Sequence, residues 1–233
     1  MKNKSWYKNN DTLTGYMFLT PALLILGLFL FIPTMMTLYY SLTDYYMLTP
    51  DLTAFIGLDN FKELLQDKLF LKSIGNIFKF VLFIMPVQVG TALFLALLVN
   101  NKAKGTIFYK IAFFSPVVMS LVVVSVLWLY LLNPADGLIN VILEAIGLNP
   151  QPLLTSPKQA MYVIILISAW QGAGYQMLIF LAGLQNIPAE VYEASTIDGA
   201  TKWEQFKHIT LPMLKPTSLM ILTTTLIDAF KLI

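Results

Sequence analysis

Long apolar blocks are the feature that most constrains this chain. Five stretches carry at most two charged side chains each, at residues 16–38, 76–99, 108–132, 161–184 and 216–233. A bilayer core about 30 Å thick is crossed by roughly 20 apolar residues in a helix. Because lipid offers the backbone no hydrogen-bond partner, each span must satisfy its own peptide groups as a helix. The sequence therefore predicts an all-α membrane protein, a polytopic helical bundle with about five spans.

The composition narrows the class further. The chain has 57% hydrophobic and only 12% charged residues, whereas a soluble domain carries about a quarter charged residues. It has no cysteine, which excludes disulfides and thiolate metal sites. Its net charge of +2 is scattered between apolar blocks, so we expect no nucleic-acid partner. The first block is longer than the apolar core of a signal peptide, about 7–15 residues, and we interpret it as a retained helix.

The lysines predict the orientation of the chain in a prokaryotic cell membrane. If residues 1–15 are a cytoplasmic N-terminus, four lysines lie in outer segments, namely Lys62, Lys68, Lys72 and Lys158. Nine then lie in inner segments: Lys2, Lys4, Lys8, Lys102, Lys104, Lys110, Lys202, Lys207 and Lys215. Positive charge accumulates on the cytoplasmic side. The sequence therefore predicts a multi-pass protein with its N-terminus inside.

Two of the segments between spans have helix signals of their own. In the outer segment 41–73, Asn60 and Glu63 have the spacing of a capping box and predict an amphipathic helix. The inner segment 185–215 is longer and more patterned. Pro188 suits a first helical position, Gly199 can end that helix with a positive φ, and Thr201 with Glu204 forms a second capping box.

The inner segment thus predicts a cytoplasmic helix–turn–helix with exposed carboxylates. The residues alone leave two interpretations open. The pair of helices either is a docking surface for a partner or lies along the inner face of the membrane.

The same segment resembles a known family. Residues 193–212 read EASTIDGATKWEQFKHITLP, which is similar to the EAA motif of ABC importer permeases, in the maltose and multiple-sugar branch. Ser195 stands where the second alanine of the motif is usual. The resemblance covers residues 10–233, so residues 16–233 are identified as an importer transmembrane domain. The family typically has six spans, and we therefore expect that the last helix is missing from this sequence.

The resemblance implies a function and several partners. It implies a permease subunit that translocates a sugar or oligosaccharide delivered by an extracytoplasmic solute-binding protein. The partners would be a cytoplasmic ATPase dimer, which uses ATP and Mg²⁺, and a second permease subunit in a heterodimer. The implied coupling residues are Glu193, Ala194, Ser195, Asp198, Gly199 and Ala200. Glu193 would contact the ATPase, Ala194 and Ser195 would permit close approach, and Gly199 would set the turn.

The chain itself has no sequence signature of catalysis. It contains no G-x-x-x-x-G-K-[ST] loop for ATP phosphates, so we expect no cofactor bound by this chain and no enzyme activity. Its single histidine, His208, is interpreted as a surface or interface residue.

Polar residues within the fourth span are candidates for the transport pathway. Their aromatic and amide groups could stack on a sugar and bond its hydroxyls; they are Trp170, Gln171, Gly174, Tyr175 and Gln176. The alternative is that the glycine only packs helices and the glutamines only bond neighbouring groups.

A stand-alone transporter and a membrane enzyme are the two alternative functions. A stand-alone secondary transporter or channel predicts buried ionisable groups or broken helices at corresponding points of two repeats. No predicted span has a carboxylate at its middle, which disfavours a proton-coupled carrier. A membrane enzyme would need a cluster of catalytic side chains, and the sequence has only isolated ones.

Overall fold

The computed structural model describes residues 4–100 and 105–231. Three of the lysines that predict the orientation lie outside the described residues, namely Lys2, Lys102 and Lys104. The described chain is mainly helical, with one small sheet in which β1 (Thr43–Asp44) pairs antiparallel with β2 (Ala54–Phe55). It divides into two compact units, Met1–Ser73 and Ile74–Ile233.

The first unit is dominated by one long apolar helical run. Helix α1 (Lys4–Leu26) continues through a π-helical turn at Gly27–Phe31 into α2 (Ile32–Ser41). The 30 residues of Thr12–Ser41 are long and apolar enough to cross a membrane, and none of the most apolar window is buried. A continuous exposed apolar surface of this kind is typical of contact with lipid or with another protein.

The rest of the first unit folds around Asn60. Helix α3 (Asp59–Gln66) follows a 3₁₀ turn at Pro50–Leu52 and the small sheet, which confirms a helix in this segment. The predicted capping box is wrong, because the helix begins after Leu58 without a side-chain cap. Asn60 Nδ2 instead donates to the carbonyl oxygens of Ser41 and Thr43, both at 3.0 Å. The Asn60 side chain thus makes tertiary hydrogen bonds and does not form the N-cap that its spacing predicts.

The second unit is a helical bundle around α8. Helix α4 (Lys68–Val99) begins at the end of the first unit and lies mostly in the second. The other helices are α5 (Thr106–Val118), α6 (Leu121–Leu131), α7 (Leu138–Ala145), α8 (Ala160–Gln185), α9 (Ala189–Ile197), α10 (Lys202–Gln205), α11 (Leu211–Met213) and α12 (Lys215–Lys231). A 3₁₀ turn at Leu153–Thr155 precedes α8, and a π-helical turn at Phe206–Thr210 joins α10 to α11. Lys68–Val99 and Ala160–Gln185 are each long and apolar enough to span a membrane.

The core of the second unit lies where α8 meets α4 and α12. Met177 and Phe180 of α8 are at most 1% exposed and belong to one buried cluster with Ala92, Ala96 and Ile221. Small residues on α4 let the larger side chains of α8 approach closely, as is common between helices in membranes.

The predicted span at 108–132 is not one continuous helix, because two helices, α5 and α6, meet there at 99°. Met119 and Ser120 are extended, with ψ of 139° and 146°. Ser120 then caps α6, its hydroxyl accepting a hydrogen bond from the Val123 amide at 3.3 Å. Serine competes with the helix for backbone bonds and is favoured as a cap. By length and composition the described helices offer three candidate spans, or four if this bent pair is one span.

Candidate functional site

Helices α9 and α10 form a hairpin, called here the α9–α10 hairpin, that spans residues 188–205. The chain leaves α8 through Asn186 and the buried Ile187, and Pro188 is the residue before α9. The helix thus begins one residue later than predicted, with Pro188 extended at ψ 136°. The fixed φ of proline still suits the entry to a helix.

The turn between the two helices has the geometry that the sequence predicts. Gly199 has a φ of +80°, a conformation that costs glycine little. Its amide donates to the Thr196 carbonyl at 3.1 Å, and the Ala200 amide donates to the Ser195 carbonyl at 2.9 Å. These two bonds are a Schellman motif, which closes the last turn of a helix.

The second capping box is confirmed at the start of α10. The Thr201 amide and hydroxyl both donate to Glu204 Oε2 at 2.7 Å, and Thr201 Oγ1 accepts from the Glu204 amide at 3.3 Å. The backbone bond from Thr201, followed by its hydroxyl bond, holds the pKa of the Glu204 carboxyl below its ordinary value. Glu204 itself is exposed, so its carboxylate stabilises the start of α10 from the solvent-facing side.

One face of α9 points to solvent. Glu190, Glu193, Ala194 and Ile197 have the spacing i, i+3, i+4 and i+7, which places them along one stripe of a helix, and all four are exposed. Ile197 is 87% exposed, so none of the described residues covers this apolar side chain.

The structure distributes the six predicted coupling residues over this hairpin. Glu193, Ala194, Asp198 and Gly199 are exposed, and Ser195 and Ala200 are half-buried. Sequence reasoning missed Ile197, although an isoleucine beside Asp198 at the tip of a hydrophilic hairpin is a usable signal. It also missed Gln205, which is buried between α9 and α10.

A partly open cavity of about 360 Å³ lies in the second unit and is called here the polar cavity, after the polar groups in its mainly apolar lining. Its polar lining comes from three helices, with Gln88 on α4, Ser168 and Gln171 on α8, and Thr225 and Asp228 on α12. Val117 and Leu121, on either side of the bend between α5 and α6, line it too. Cavities of about 300–1,000 Å³ with a few convergent polar groups are typical of small-molecule sites.

The five predicted pathway residues do not share one place. Gln171 lines the polar cavity, while Trp170 packs edge-on against Trp128 with ring centroids 5.5 Å apart. Tyr175 is 55% exposed. Gln176 is 5% exposed and donates to Thr225 Oγ1 at 2.7 Å.

Gly174 belongs to a helix contact. A Cβ built there would overlap the carbonyl of Phe113 and stand 3.0 Å from the Cα of Phe114. Sequence reasoning missed Ser168 and Thr225 as cavity residues, since neither stands out from the serines and threonines that bond their own helix.

A helical bundle with apolar helices long enough to cross a membrane, a cavity with several polar groups and an exposed, capped hairpin is typical of a membrane transport protein. Residues 70–233 match the family described as binding-protein-dependent transport system inner membrane component. That match covers more than half of the chain, and the chain belongs to this family.

Relatives and solved structures agree with this family. The chain is 39% identical over 230 residues to the probable ABC transporter permease protein YesP of Bacillus subtilis (strain 168), covering 97% of this chain and 73% of the relative. It is 34% identical over 233 residues to the lactose transport system permease protein LacF of Rhizobium radiobacter, covering 99% and 77%.

Two crystal structures of a bacterial alginate ABC transporter contain a similar chain. One is described as involved in the import of the acidic polysaccharide alginate, with a TM-score of 0.77 and 27% identity over 94% of this chain and 74% of that chain. The other is in complex with an alginate pentasaccharide-bound periplasmic protein, with a TM-score of 0.78 and 26% identity over 94% and 73%.

These findings confirm the family that the EAA-like motif indicates and the helical membrane fold. The chain is the membrane-spanning permease subunit of an ABC importer, a transport subunit and not an enzyme. It is an inner membrane component of a system that depends on a binding protein. The stand-alone transporter and the membrane enzyme are therefore set aside.

Proposed function

We propose that this permease imports a neutral sugar or oligosaccharide, which an extracytoplasmic solute-binding protein delivers. The observation that carries the proposal is the polar cavity beside α8, walled by amide, hydroxyl and carboxylate groups. Relatives named for lactose and for arabinooligosaccharides support this substrate class.

The chemistry of the cavity suits sugar hydroxyls. Gln88 and Gln171 each offer two donors and an acceptor, and Ser168 offers a hydroxyl that donates or accepts. The Thr225 hydroxyl already donates to the Ile221 carbonyl and accepts from Gln176, so it can only accept a further hydrogen bond. Phe80 and Leu121 add apolar surface for the carbon face of a ring. Among the described residues that line the cavity none is basic, which favours a neutral sugar over a phosphorylated or acidic one.

The α9–α10 hairpin is the part of the chain that binds the ATPase. In this proposal the exposed stripe of α9 docks in a cleft of a cytoplasmic ATPase dimer, and ATP with Mg²⁺ binds there and not on this chain. Glu193 and Asp198 make polar contacts, Ile197 fills an apolar pocket, and Ala194 permits close approach. Gly199 and Ala200 form the turn that keeps this tip narrow.

The remaining partners follow from the same proposal. A second, different permease subunit completes the pathway beside this one, and the solute-binding protein docks outside. The chain crosses the bilayer several times with its N-terminus in the cytoplasm, which places the hairpin on the side where ATP is available. Closure of the ATPase dimer would then bias the bundle between inward-open and outward-open states.

The test is a substitution in the exposed stripe of α9 formed by Glu190, Glu193, Ala194 and Ile197, called here the docking stripe. Glu193→Ala removes one charged contact and, where that contact is buried in the interface, weakens ATPase binding by about 2–5 kcal/mol. We expect loss of ATPase co-purification and of uptake of the neutral sugar that the binding protein binds. The measurements are pull-down of the ATPase and radiolabelled sugar uptake in proteoliposomes.

Glu63→Ala is the matched control, because Glu63 is an exposed carboxylate on α3, far from the hairpin in sequence. It should leave both readouts unchanged. Normal ATPase association and normal uptake by the Glu193→Ala variant would overturn the proposed coupling. A binding protein that recognises only peptides or amino acids would overturn the proposed substrate.

A further inference from the structure

The side chain of Gln205 connects the two helices of the α9–α10 hairpin by hydrogen bonds. Its amide nitrogen donates to Ser195 Oγ and to Thr196 Oγ1, both at 2.9 Å, and to the Tyr192 carbonyl at 3.3 Å. Gln205 is only 5% exposed, so water does not compete freely for these bonds. A buried side-chain amide needs hydrogen-bond partners, so it favours the arrangement of α9 and α10 that supplies them.

A further hydrogen bond connects α9 to the chain about one helical turn after Gln205. The hydroxyl of Tyr192 pairs with Thr210 Oγ1 at 2.9 Å, and Thr210 is 5% exposed. The ring of Tyr192 also packs against the core cluster of the second unit. Through these contacts α9 is joined to the helical run that continues into α12.

Apolar packing contributes little to the orientation of α9, because among its residues Tyr192 alone is placed against the core cluster. None of its residues is buried, and Ile197 points to solvent. Its backbone connections are short, through Asn186–Pro188 on one side and Asp198–Thr201 on the other, and the second contains Gly199 at a φ of +80°. A helix with so little buried surface moves readily unless specific bonds hold it.

We propose that Gln205 is a positioning residue for coupling. It makes α9 and the following helical run one rigid lever, so that a push on the docking stripe reaches α8 and α12 together. This inference rests on the proposed function. Ser195 is the matching acceptor: the related motif usually has alanine there, and alanine cannot accept the bond.

The test uses the complete importer in proteoliposomes, with its second permease, its ATPase and its binding protein. Gln205→Leu keeps much of the side-chain volume and removes the donors. With more than one hydrogen bond lost, we expect about tenfold less sugar imported per ATP hydrolysed. The ATPase should still co-purify, because the docking stripe is unchanged.

A distance measurement separates positioning from general damage. The chain has no cysteine, so spin labels can be placed at Lys158→Cys and Ala189→Cys, which are exposed, lie on either side of α8 in the chain and leave the docking stripe unchanged. We expect a narrow distance distribution with Gln205 and a broad one with Gln205→Leu. Gln66→Leu, at an exposed position of α3, is the matched control and should change neither readout.

The outcomes distinguish the two proposals. Unchanged transport per ATP and an unchanged distribution in Gln205→Leu would overturn the lever, whatever Glu193→Ala does. If Gln205→Leu fails to assemble, Ser195→Ala with Thr196→Val removes two acceptors instead, and a normal transport ratio there would overturn it. In the Gln205→Leu background Ser195→Ala should add nothing, as coupled residues require; an additive loss would contradict the shared bond.

Discussion

Gly174 shows how a single missing side chain brings two helices into contact. At this residue α8 passes so close to α5 that a Cβ would overlap the Phe113 carbonyl. Neighbouring Gly172 makes a different contact, since a Cβ there would meet the amide of Gln88. Backbone cannot move aside as a flexible side chain can, so Gly174 is the stricter requirement.

Gly174→Ala should therefore destabilise the bundle. Overpacking of this kind costs about 1–3 kcal/mol. The measurement is thermal or denaturant unfolding of the purified importer in detergent. Gly90→Ala on α4 is the matched control, because a Cβ there meets nothing within 4 Å. In a helix that change gains up to about 1 kcal/mol; equal stability of the two variants would contradict the close approach.

At the scale of an element, short capping signals decide where helices start and stop. Ser120 starts α6 after two extended residues, and Thr201 starts α10 after the Gly199 turn. Both signals lie within four residues of sequence, so both are local. The pair Thr201 and Glu204 indicates a helix start from sequence, whereas a lone serine between apolar residues gives no such signal. The pair Asn60 and Glu63 has the same spacing and forms no cap, so the spacing alone does not decide.

The ionised Glu204 carboxylate makes α10 sensitive to acid. Because the folded pKa lies below the ordinary value of 4.5, the cap stabilises the helix fully above that value. The stabilisation is lost as the pH falls through the lowered pKa. We expect amide exchange across residues 201–206, corrected for intrinsic rates, to accelerate over that acidic range.

Glu204→Gln is the control for this titration. Glutamine keeps an acceptor for the Thr201 amide but cannot ionise. Its exchange should be faster than wild type at neutral pH and flat across the acidic range. A pH profile that persists in Glu204→Gln would assign the effect to another group.

At the scale of the whole molecule, one helix links the cavity to the hairpin. Ser168 and Gln171 line the cavity from α8, and the same helix ends at Gln185, directly before α9. Thr225 lines the cavity from α12, which follows the hairpin in the chain. The hairpin is thus connected in the chain to two helices that line the cavity, to α8 through the short segment Asn186–Pro188 and to α12 through the helical run that starts at α10.

The topology is the molecular-scale prediction. Lys207→Cys, beyond the hairpin, should resist a membrane-impermeant thiol reagent in intact cells and react after permeabilisation. Lys158→Cys, before α8, should react in intact cells. The absence of native cysteine makes both signals unambiguous. Labelling of Lys207→Cys in intact cells would place the hairpin outside, where no ATPase could meet it.

By itself the sequence determined the membrane class, the long helices, the glycine turn and the capping box, because apolar length and capping depend on residues close together in the chain. It also carried the family motif. Only the tertiary structure decided that Gln205 bonds Ser195, ten residues away, and that Gln176 bonds Thr225, 49 residues away. The same holds for the polar cavity and for the close approach at Gly174. Such contacts depend on how helices cross, and the local pattern of a helix is compatible with many crossings.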